Sequence, residues 1–364
     1  MWSEMHTDTL SFGRKLQKVL DLCVRLTKGT GISAAIIAPG RGSWAGASGN
    51  SQPSEPIAPD MLFDIASIGK HYVAVLVVQL AKEGTLLLDD PLNRWLPDYP
   101  YIDGGITVRQ LLNHTSGIFD WVEHPQSPYR KAFDAIPFDE ISSPESVVRM
   151  LLHEPYFPPG GGFRYSTTNY TLLRMIVEHV TGSTVAKEIQ RRFLAPLDLN
   201  HTFVVDADMF LPESVRVAHG WWDANGDGKP DDITSRPRMW IATRSPAMIY
   251  ATAEDLARWA QAVYGANVLG QAFLRQMLSF HRPTPTAPGE PFATGYGLGT
   301  QELRLGGLVM WGHLGWQYGY TSSMLYVPKH SASIAVLIND NNMALINLAT
   351  IGLWIVTRLC LKRA

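Results

Sequence analysis

The sequence has 364 residues, a formal net charge of −2 and 18% charged side chains, which excludes the strongly basic surface that nucleic-acid binding needs. This length is sufficient for a large core that keeps a reactive side chain away from bulk water. Only two cysteines are present, Cys23 and Cys360, so neither a disulfide scaffold nor a cysteine-rich zinc site is available. Both lie in apolar helical stretches, and we favour two inert thiols over a disulfide.

The N-terminal segment is predicted to form a helix followed by a hairpin. Residues 10–27 are apolar at helical spacing, and residues 32–49 are typical of two short strands joined at the Pro-Gly-Arg-Gly of residues 39–42. No basic stretch followed by an apolar one occurs at the start, so we expect no signal peptide. The sequence does not decide the cellular compartment. The protein is periplasmic or secreted if a signal peptide was removed, and otherwise cytoplasmic.

The next helix carries a candidate nucleophile in its first turn. Residues 67–83 have an apolar middle and end at Gly84, which predicts a helix buried nearly all round. Ser67 and Lys70 share one face of it, so the ammonium can bond the serine hydroxyl. The simpler alternative is a helix cap and a solvated lysine. Because an ammonium is costly to bury without a role, we favour Ser67 as nucleophile and Lys70 as its activating partner.

The rest of the chain predicts a helical middle and a return to strands. Residues 89–276 contain short helical segments and long loops, and β-rich runs follow from about Phe292. The apolar run 344–357 is shorter than the ~20 residues that a membrane span needs, so we expect a helix packed on a sheet. The predicted class is α/β (α+β): an antiparallel sheet flanked by N- and C-terminal helices, formed by residues 1–80 and 285–364, with a mostly helical domain at 81–284.

Six blocks of sequence carry a family resemblance. They are FDIASIGK (63–70), GTLLLDDPLNRWLPDYP (84–100), ITVRQLLNHTSGI (106–118), FRYSTTNYTLLRMIVEHVTG (163–182), TGYGLGT (294–300) and GHLGWQYGYTSSMLYVP (312–328). With these blocks the chain resembles, over about residues 20–360, the serine β-lactamase and D-alanyl-D-alanine carboxypeptidase superfamily. The similarity is to the class C β-lactamase branch, which includes family VIII esterases and D-amino-acid amidases. It implies a β-lactamase/transpeptidase-like fold and acyl-enzyme catalysis without a cofactor.

The resemblance implies roles for two further elements. Tyr165 matches the family tyrosine that acts as general base and acid, but Thr167 stands where the family has asparagine, and the next asparagine is Asn169. A threonine hydroxyl is shorter than an amide and differently aimed. Recognition of a penicillin side-chain amide is therefore in doubt.

The family's third element is His313-Leu314-Gly315 in this chain. His313 is expected to give the site a polar wall that can carry positive charge. Gly315 is expected to let substrate lie against the strand, and the amides of Ser67 and Trp316 to form the oxyanion hole. Leu314 and Trp316 replace the hydroxyl residues with which relatives bind a carboxylate. This favours an uncharged ester or amide, with Trp316 as an apolar wall.

Two other motifs are weaker. Residues 223–234 begin like a calcium loop, with Asp223, Asn225, Asp227 and Asp231 as candidate ligands, but Thr234 replaces the final glutamate; a hairpin turn is the simpler explanation. His114, in the Asn-His-Thr-Ser-Gly run at 113–117, is interpreted as fixing loops around the cleft. No histidine spacing typical of a metallohydrolase occurs.

The predicted function is that of a serine hydrolase with a Ser-x-x-Lys motif, either an esterase or a peptidase/amidase. One alternative is a penicillin-binding protein or β-lactamase acting on β-lactams or D-Ala-D-Ala peptides. An alternative of another class is a non-catalytic scaffold that binds ligands. The expected partner is a small ester, amide or peptide, with no nucleic acid and no membrane span. The physiological substrate, its stereochemistry and the oligomeric state stay open.

Overall fold

The fold is described from a computed structural model over residues 2–120, 143–150, 153–206, 211–223, 225–234, 247–281, 293–305 and 307–361. The α-helices are α1 (Trp2–Thr27), α2 (Ile68–Lys82), α3 (Val108–Leu112), α4 (Pro144–Met150), α5 (Thr167–Thr181), α6 (Val185–Ile189), α7 (Ala253–Tyr264), α8 (Gly270–Met277) and α9 (Met343–Leu361). The strands are β1 (Gly31–Ala38), β2 (Gly42–Gln52), β3 (Glu55–Pro56), β4 (Phe63–Asp64), β5 (Thr202–Val205), β6 (Trp221–Trp222), β7 (Asp231–Asp232), β8 (Met248–Ala251), β9 (Ala293–Tyr296), β10 (Gln301–Leu305), β11 (Leu308–Gln317), β12 (Tyr320–Val327) and β13 (Ala332–Ile338).

The two ends of the chain meet in one antiparallel sheet, as the sequence predicts. The strand order is β3-β2-β1-β13-β12-β11-β10-β9. At its centre β1 pairs with β13, with Ile32 opposite Ile338, and β1 and β2 form the predicted hairpin. β1 and β13 are buried along nearly their whole length, which is typical of central strands covered on both faces.

Helices α1 and α9 pack on one face of this sheet and against each other. Leu16 and Leu20 of α1 and Leu353 and Trp354 of α9 share a buried cluster with the strands. Within the described residues α9 is the one helix whose length and hydropathy would suit a membrane crossing. Six of its side chains are buried in this fold, so it packs on the sheet as predicted.

The two cysteines lie on these same helices. Cys23 is buried in α1, Cys360 is partly buried at the end of α9, and both are free thiols. The interpretation of two unpaired thiols therefore agrees with the structure.

On the opposite face of the sheet, α2 is buried nearly all round, as predicted. A chain of hydrogen bonds accommodates its one histidine, His71. Trp259 Nε1 donates to His71 Nδ1 over 3.0 Å, so the imidazole proton lies on Nε2 and is donated to the Tyr264 hydroxyl over 2.9 Å. The same hydroxyl lies 3.1 Å from Thr300 Oγ1. Burial, with the nearby His313, holds the pKa of His71 well below its usual range, so the side chain is neutral.

Six of the nine described α-helices, α3 to α8, lie in the middle of the chain, together with the strands β5 to β8 and loops. α3 begins with a capping box at Thr107, and α5 ends at Gly182, whose φ of 63° suits a left-handed C-cap. A small sheet of order β4-β8-β5 lies among these helices, and α7 packs on the large sheet. The proposed domain boundary at 284/285 lies outside the described residues, and the division into two domains stays a prediction.

Candidate active site

The structure brings Ser67 and Lys70 together at the start of α2. Lys70 Nζ donates a hydrogen bond to Ser67 Oγ over 3.0 Å. Lys70 is only 5% exposed, whereas Ser67 is partly accessible. A buried ammonium beside an accessible hydroxyl is the arrangement that Ser-x-x-Lys predicted, since burial strengthens their electrostatic interaction.

The residue before the serine adopts an unusual backbone conformation. Ala66 has a φ of 51°, a left-handed geometry that is costly for residues other than glycine. Its N–H donates to Asp64 Oδ1 over 2.8 Å. The neighbouring Ile65 carbonyl accepts from Ser322 Oγ over 2.7 Å, and the Ile65 N–H donates to Ile249 O. The turn that presents Ser67 is therefore held by both sheets.

Gly315 lies directly against this turn. A side-chain carbon at Gly315 would overlap the Ile65 carbonyl oxygen and Ser322 Oγ. We expected the glycine to make room for substrate, and this explanation was wrong, because the space is filled by the segment that carries the nucleophile. The glycine is needed so that β11 and the Ser67 turn can approach each other.

The strand also directs the amide of Trp316. Leu314 N donates to Gln301 Oε1 over 2.8 Å, so this N–H points towards the β10 side of β11. N–H groups alternate along a strand, and that of Trp316 therefore points the same way. The pairing of β10 with β11 ends at Gly312, which leaves this edge open beside the Ser67 turn. The Trp316 N–H therefore points to the side of β11 that β10 leaves unpaired beyond Gly312.

The ring of Tyr165 lies beside the Lys70 ammonium group. Lys70 Nζ is 5.1 Å from the centroid of the Tyr165 ring. His114 fixes the tyrosine's loop on both sides, because its carbonyl accepts from Arg164 N and its Nδ1 accepts from Ser166 N over 3.1 Å. The His114 ring also packs 4.3 Å from that of Tyr165. These contacts agree with the loop-fixing role expected of His114.

Thr167 and Asn169 occupy buried positions in the first turn of α5. The Asn169 side chain is used internally: Oδ1 accepts from Ser116 Oγ over 2.7 Å, and Nδ2 lies 3.1 Å from His114 Nδ1. Asn169 therefore does not take the place of the amide missing at Thr167.

His313 is uncharged, which corrects the expectation of a wall that can carry positive charge. The ring is 1% exposed; its Nδ1 donates to the Leu314 carbonyl over 2.6 Å, so Nε2 accepts from the Tyr296 hydroxyl over 2.9 Å. Burial lowers the pKa of His313 to about 3. The hydrogen bond to Leu314 acts against this shift, and the nearby Lys70 cation adds to it. The ring of His313 lies next to that of Tyr165, and the two ring centroids are 6.4 Å apart.

Leu314 was expected beside the substrate, but its side chain contacts the cluster beneath α1 and α9 on the far face of the sheet. The Leu314 side chain packs on this cluster and does not line the cleft beside Ser67. Trp316 is 43% exposed and packs edge-to-face against Trp222 and Tyr318. Trp222 and Tyr318 were missed, because only the fold brings the β6–β7 hairpin next to β11. We call these three residues the aromatic wall.

The calcium-loop candidates form a turn between β6 and β7, which pair as a hairpin. The Asp223 carboxylate accepts from three backbone N–H groups, those of Gly226, Asp227 and Gly228. Asn225 and Asp227 likewise accept from backbone N–H groups of the turn, and Asp231 begins β7. Across the described residues no group of three metal-binding side chains comes together. The contacts agree with the hairpin-turn interpretation.

The first prediction concerns Asp64. Burial raises the pKa of Asp64 from 3.8 to about 6, so ionisation costs stability as the pH rises from about 4 through about 6, by about 3 kcal/mol in all. Asp64→Asn removes this titration and keeps an oxygen acceptor for Ala66. Relative to this variant, the wild-type free energy of unfolding should fall by about 2 kcal/mol between about pH 4.5 and about pH 7.5, measured by urea unfolding.

Asp60→Asn is a control for which the stability should change with pH in the opposite direction. Its hydrogen bond to Arg216 lowers the pKa of that carboxyl, so Asp60→Asn should lose stability relative to wild type as the pH rises. A pH-independent difference for Asp64→Asn would contradict the burial of a titrating carboxyl.

The second prediction concerns Gly315. Gly315→Ala should push β11 and the Ser67 turn apart and lower kcat at least about a hundredfold, because displacements of about 1 Å have such effects on catalysis. Gly13→Ala in α1 is the matched control, since a side-chain carbon there meets only the Trp44 ring, at 3.1 Å. Wild-type kinetics for Gly315→Ala would show that this close approach is not required.

Comparisons with known proteins show the family to which the chain belongs. Residues 21–349 match the family model described as Beta-lactamase. Among curated proteins, esterase EstB of Burkholderia gladioli is 27% identical, over 88% of this chain and 82% of its own. Penicillin-binding protein 4* of Bacillus subtilis is 28% identical over 78% of this chain, which spans 62% of that protein's length.

Solved structures show the same fold. D-amino acid amidase from Ochrobactrum anthropi SV3 superimposes with a TM-score of 0.83 at 25% identity, over 97% of this chain and 100% of that one. A D-stereospecific amidohydrolase from a Streptomyces species gives a TM-score of 0.75 at 28% identity, over 92% of this chain and 97% of that one. The match to the Beta-lactamase family model covers most of the chain, residues 21–349. The chain therefore belongs to the β-lactamase family.

Proposed function

We propose that the protein is a serine hydrolase that forms an acyl-enzyme on Ser67 from an ester or amide substrate. The observation that carries this proposal is the 3.0 Å hydrogen bond from the buried Lys70 ammonium to Ser67 Oγ. The Tyr165 ring next to the same ammonium supplies a second group for proton transfer. The names of the relatives, an esterase and two amide-cleaving enzymes, support this class of reaction.

In the acylation step, Ser67 Oγ attacks the carbonyl carbon and gives its proton to Tyr165, which acts as a phenolate stabilised by the neighbouring Lys70 ammonium. The N–H groups of Ser67 and Trp316 stabilise the oxyanion. Collapse of the tetrahedral intermediate expels the alcohol or amine, which takes up the proton from Tyr165. In deacylation, water attacks the acyl carbon and gives its proton to Tyr165, and Ser67 Oγ leaves and regains a proton. His313 is neutral, and in this scheme it positions Tyr296 and takes no part in proton transfer.

Three features favour an uncharged acyl group over a penicillin-like acid. Thr167 lacks the amide of the family pattern, and Asn169 is already bonded to Ser116. Neutral His313 offers no cation for a carboxylate. The aromatic wall, formed by Trp222, Trp316 and Tyr318, is suited to apolar groups through ring contacts and burial.

The third prediction is a substrate panel. Wild-type protein should turn over p-nitrophenyl butyrate, and D-phenylalanine amide more slowly, with little turnover of a fluorescent penicillin. Ser67→Ala should lose at least about a thousandfold in kcat/KM, since the nucleophile is removed. Ser279→Ala, an exposed serine outside the site, should match wild type in the same steady-state assays.

Other outcomes of the panel favour the alternatives. Stable labelling by penicillin without ester turnover would support a penicillin-binding protein, the second candidate, which the match to penicillin-binding protein 4* favours. Neither labelling nor turnover, with Ser67→Ala unchanged, would indicate a non-catalytic binding scaffold and overturn the proposal.

The fourth prediction tests the aromatic wall. Trp316→Ala keeps the backbone N–H but removes the exposed ring, so KM for p-nitrophenyl butyrate should rise about tenfold with a small change in kcat. Tyr101→Ala is the control, because Tyr101 is also a half-exposed ring but lies on a distant loop. If kcat and kcat/KM fall equally in Trp316→Ala, the ring interacts with the transition state only, which would contradict a role in binding the acyl group.

A further inference from the structure

The outer surface of α1 and α9 is unusually apolar. Eight large hydrophobic side chains are exposed among the described residues, and five of them belong to these two helices. The five are Leu22, Leu26, Leu348, Ile355 and Leu359, and we call this surface the outer face. Scattered exposed leucines need no explanation, but a concentration on two neighbouring helices is typical of an interaction surface.

The two helices form a single layer, so the five side chains lie on one side of the molecule. Asn342 Nδ2, just before α9, donates to the Thr27 carbonyl at the end of α1. Further along, a side-chain carbon at Gly352 would come within 2.8 Å of Val19 Cγ1. The helices therefore run antiparallel and in close contact, with their inner sides on the sheet and their outer sides in solvent.

This apolar surface is bordered by positive charge. Exposed basic residues lie on α1 or directly after it: Arg14, Lys15, Lys18, Arg25 and Lys28. Across residues 11–28, whose side chains are described, Asp21 is the only acidic residue, and it accepts a hydrogen bond from Gln17. α9 contributes the exposed Arg358 and contains no acidic residue. Leucines bordered by lysine and arginine are the combination with which helices bind the surface of an anionic bilayer.

We propose that the outer face docks the protein on an anionic membrane surface. The helices lie on the bilayer and do not cross it, because the inner side of α9 is part of the core. A second copy of the chain fits the outer face less well. A two-fold interface would bring the basic side chains of both copies together, and these charges repel each other. Ser67 begins α2, which packs on the opposite face of the sheet, so docking leaves the active-site cleft accessible.

The fifth prediction is tested by co-sedimentation of the full chain with vesicles of phosphatidylcholine alone or mixed with phosphatidylglycerol. Wild-type protein should bind the mixed vesicles, bind neutral ones weakly, and dissociate as salt is added. The triple variant Lys15→Gln, Lys18→Gln, Arg25→Gln should lower the partition coefficient about a hundredfold. The pair Leu26→Ser and Ile355→Ser should lower it about tenfold or more by removing buried apolar area.

Matched controls are exposed residues away from the outer face. Leu87→Ser and Arg275→Gln should bind as wild type does, since Leu87 follows α2 and Arg275 lies on α8, so that neither residue belongs to α1 or α9. All variants should hydrolyse the ester as wild type does, which shows that they fold. Vesicle binding is measured independently of hydrolysis, so this test is separate from the test of Ser67 as nucleophile.

The proposal would be overturned by no binding to mixed vesicles, by equal binding to both vesicle types, or by equal loss of binding in the controls. A dimer abolished by Leu26→Ser and Ile355→Ser, without vesicle binding, would also overturn it and assign the outer face to a second copy.

Discussion

The buried ammonium of Lys70 is the constraint on which the site depends. It lies in a helix whose other side chains are largely apolar, and its hydrogen bond to Ser67 and the Tyr165 ring are neighbours suited to a cation. Two histidines stand nearby without adding charge. Burial and then the Lys70 cation keep the pKa of His114 well below its usual range. His313 is neutral as well, so Lys70 is the one cation among these three neighbouring side chains.

The turn that precedes Ser67 depends on contacts from distant parts of the chain. The left-handed Ala66 is costly by itself, and Asp64, Ser322 and the backbone of Ile249 compensate through hydrogen bonds. Gly315 allows the strand to come close enough for these contacts. The large sheet therefore does more than support the site, because it fixes the backbone conformation from which α2 starts.

Much of this arrangement could be predicted from local sequence. The apolar run after Ser67 predicted a buried helix, and the strands at both ends predicted one shared sheet. The neutral state of His313 could not be predicted, because it depends on burial by residues far apart in sequence. The contacts of Gly315 with Ile65, and of Trp316 with Trp222, arise only from tertiary packing.

The central claim is that Ser67 forms the acyl-enzyme with the help of Lys70. Its most direct test is the intact mass of the protein quenched in acid during turnover of a slowly deacylating ester, followed by peptide mapping. The account predicts one acyl group on the peptide that contains Ser67, no adduct in Ser67→Ala, and much slower acylation in Lys70→Ala. An adduct on another residue, or the same rate of acylation without Lys70, would contradict it.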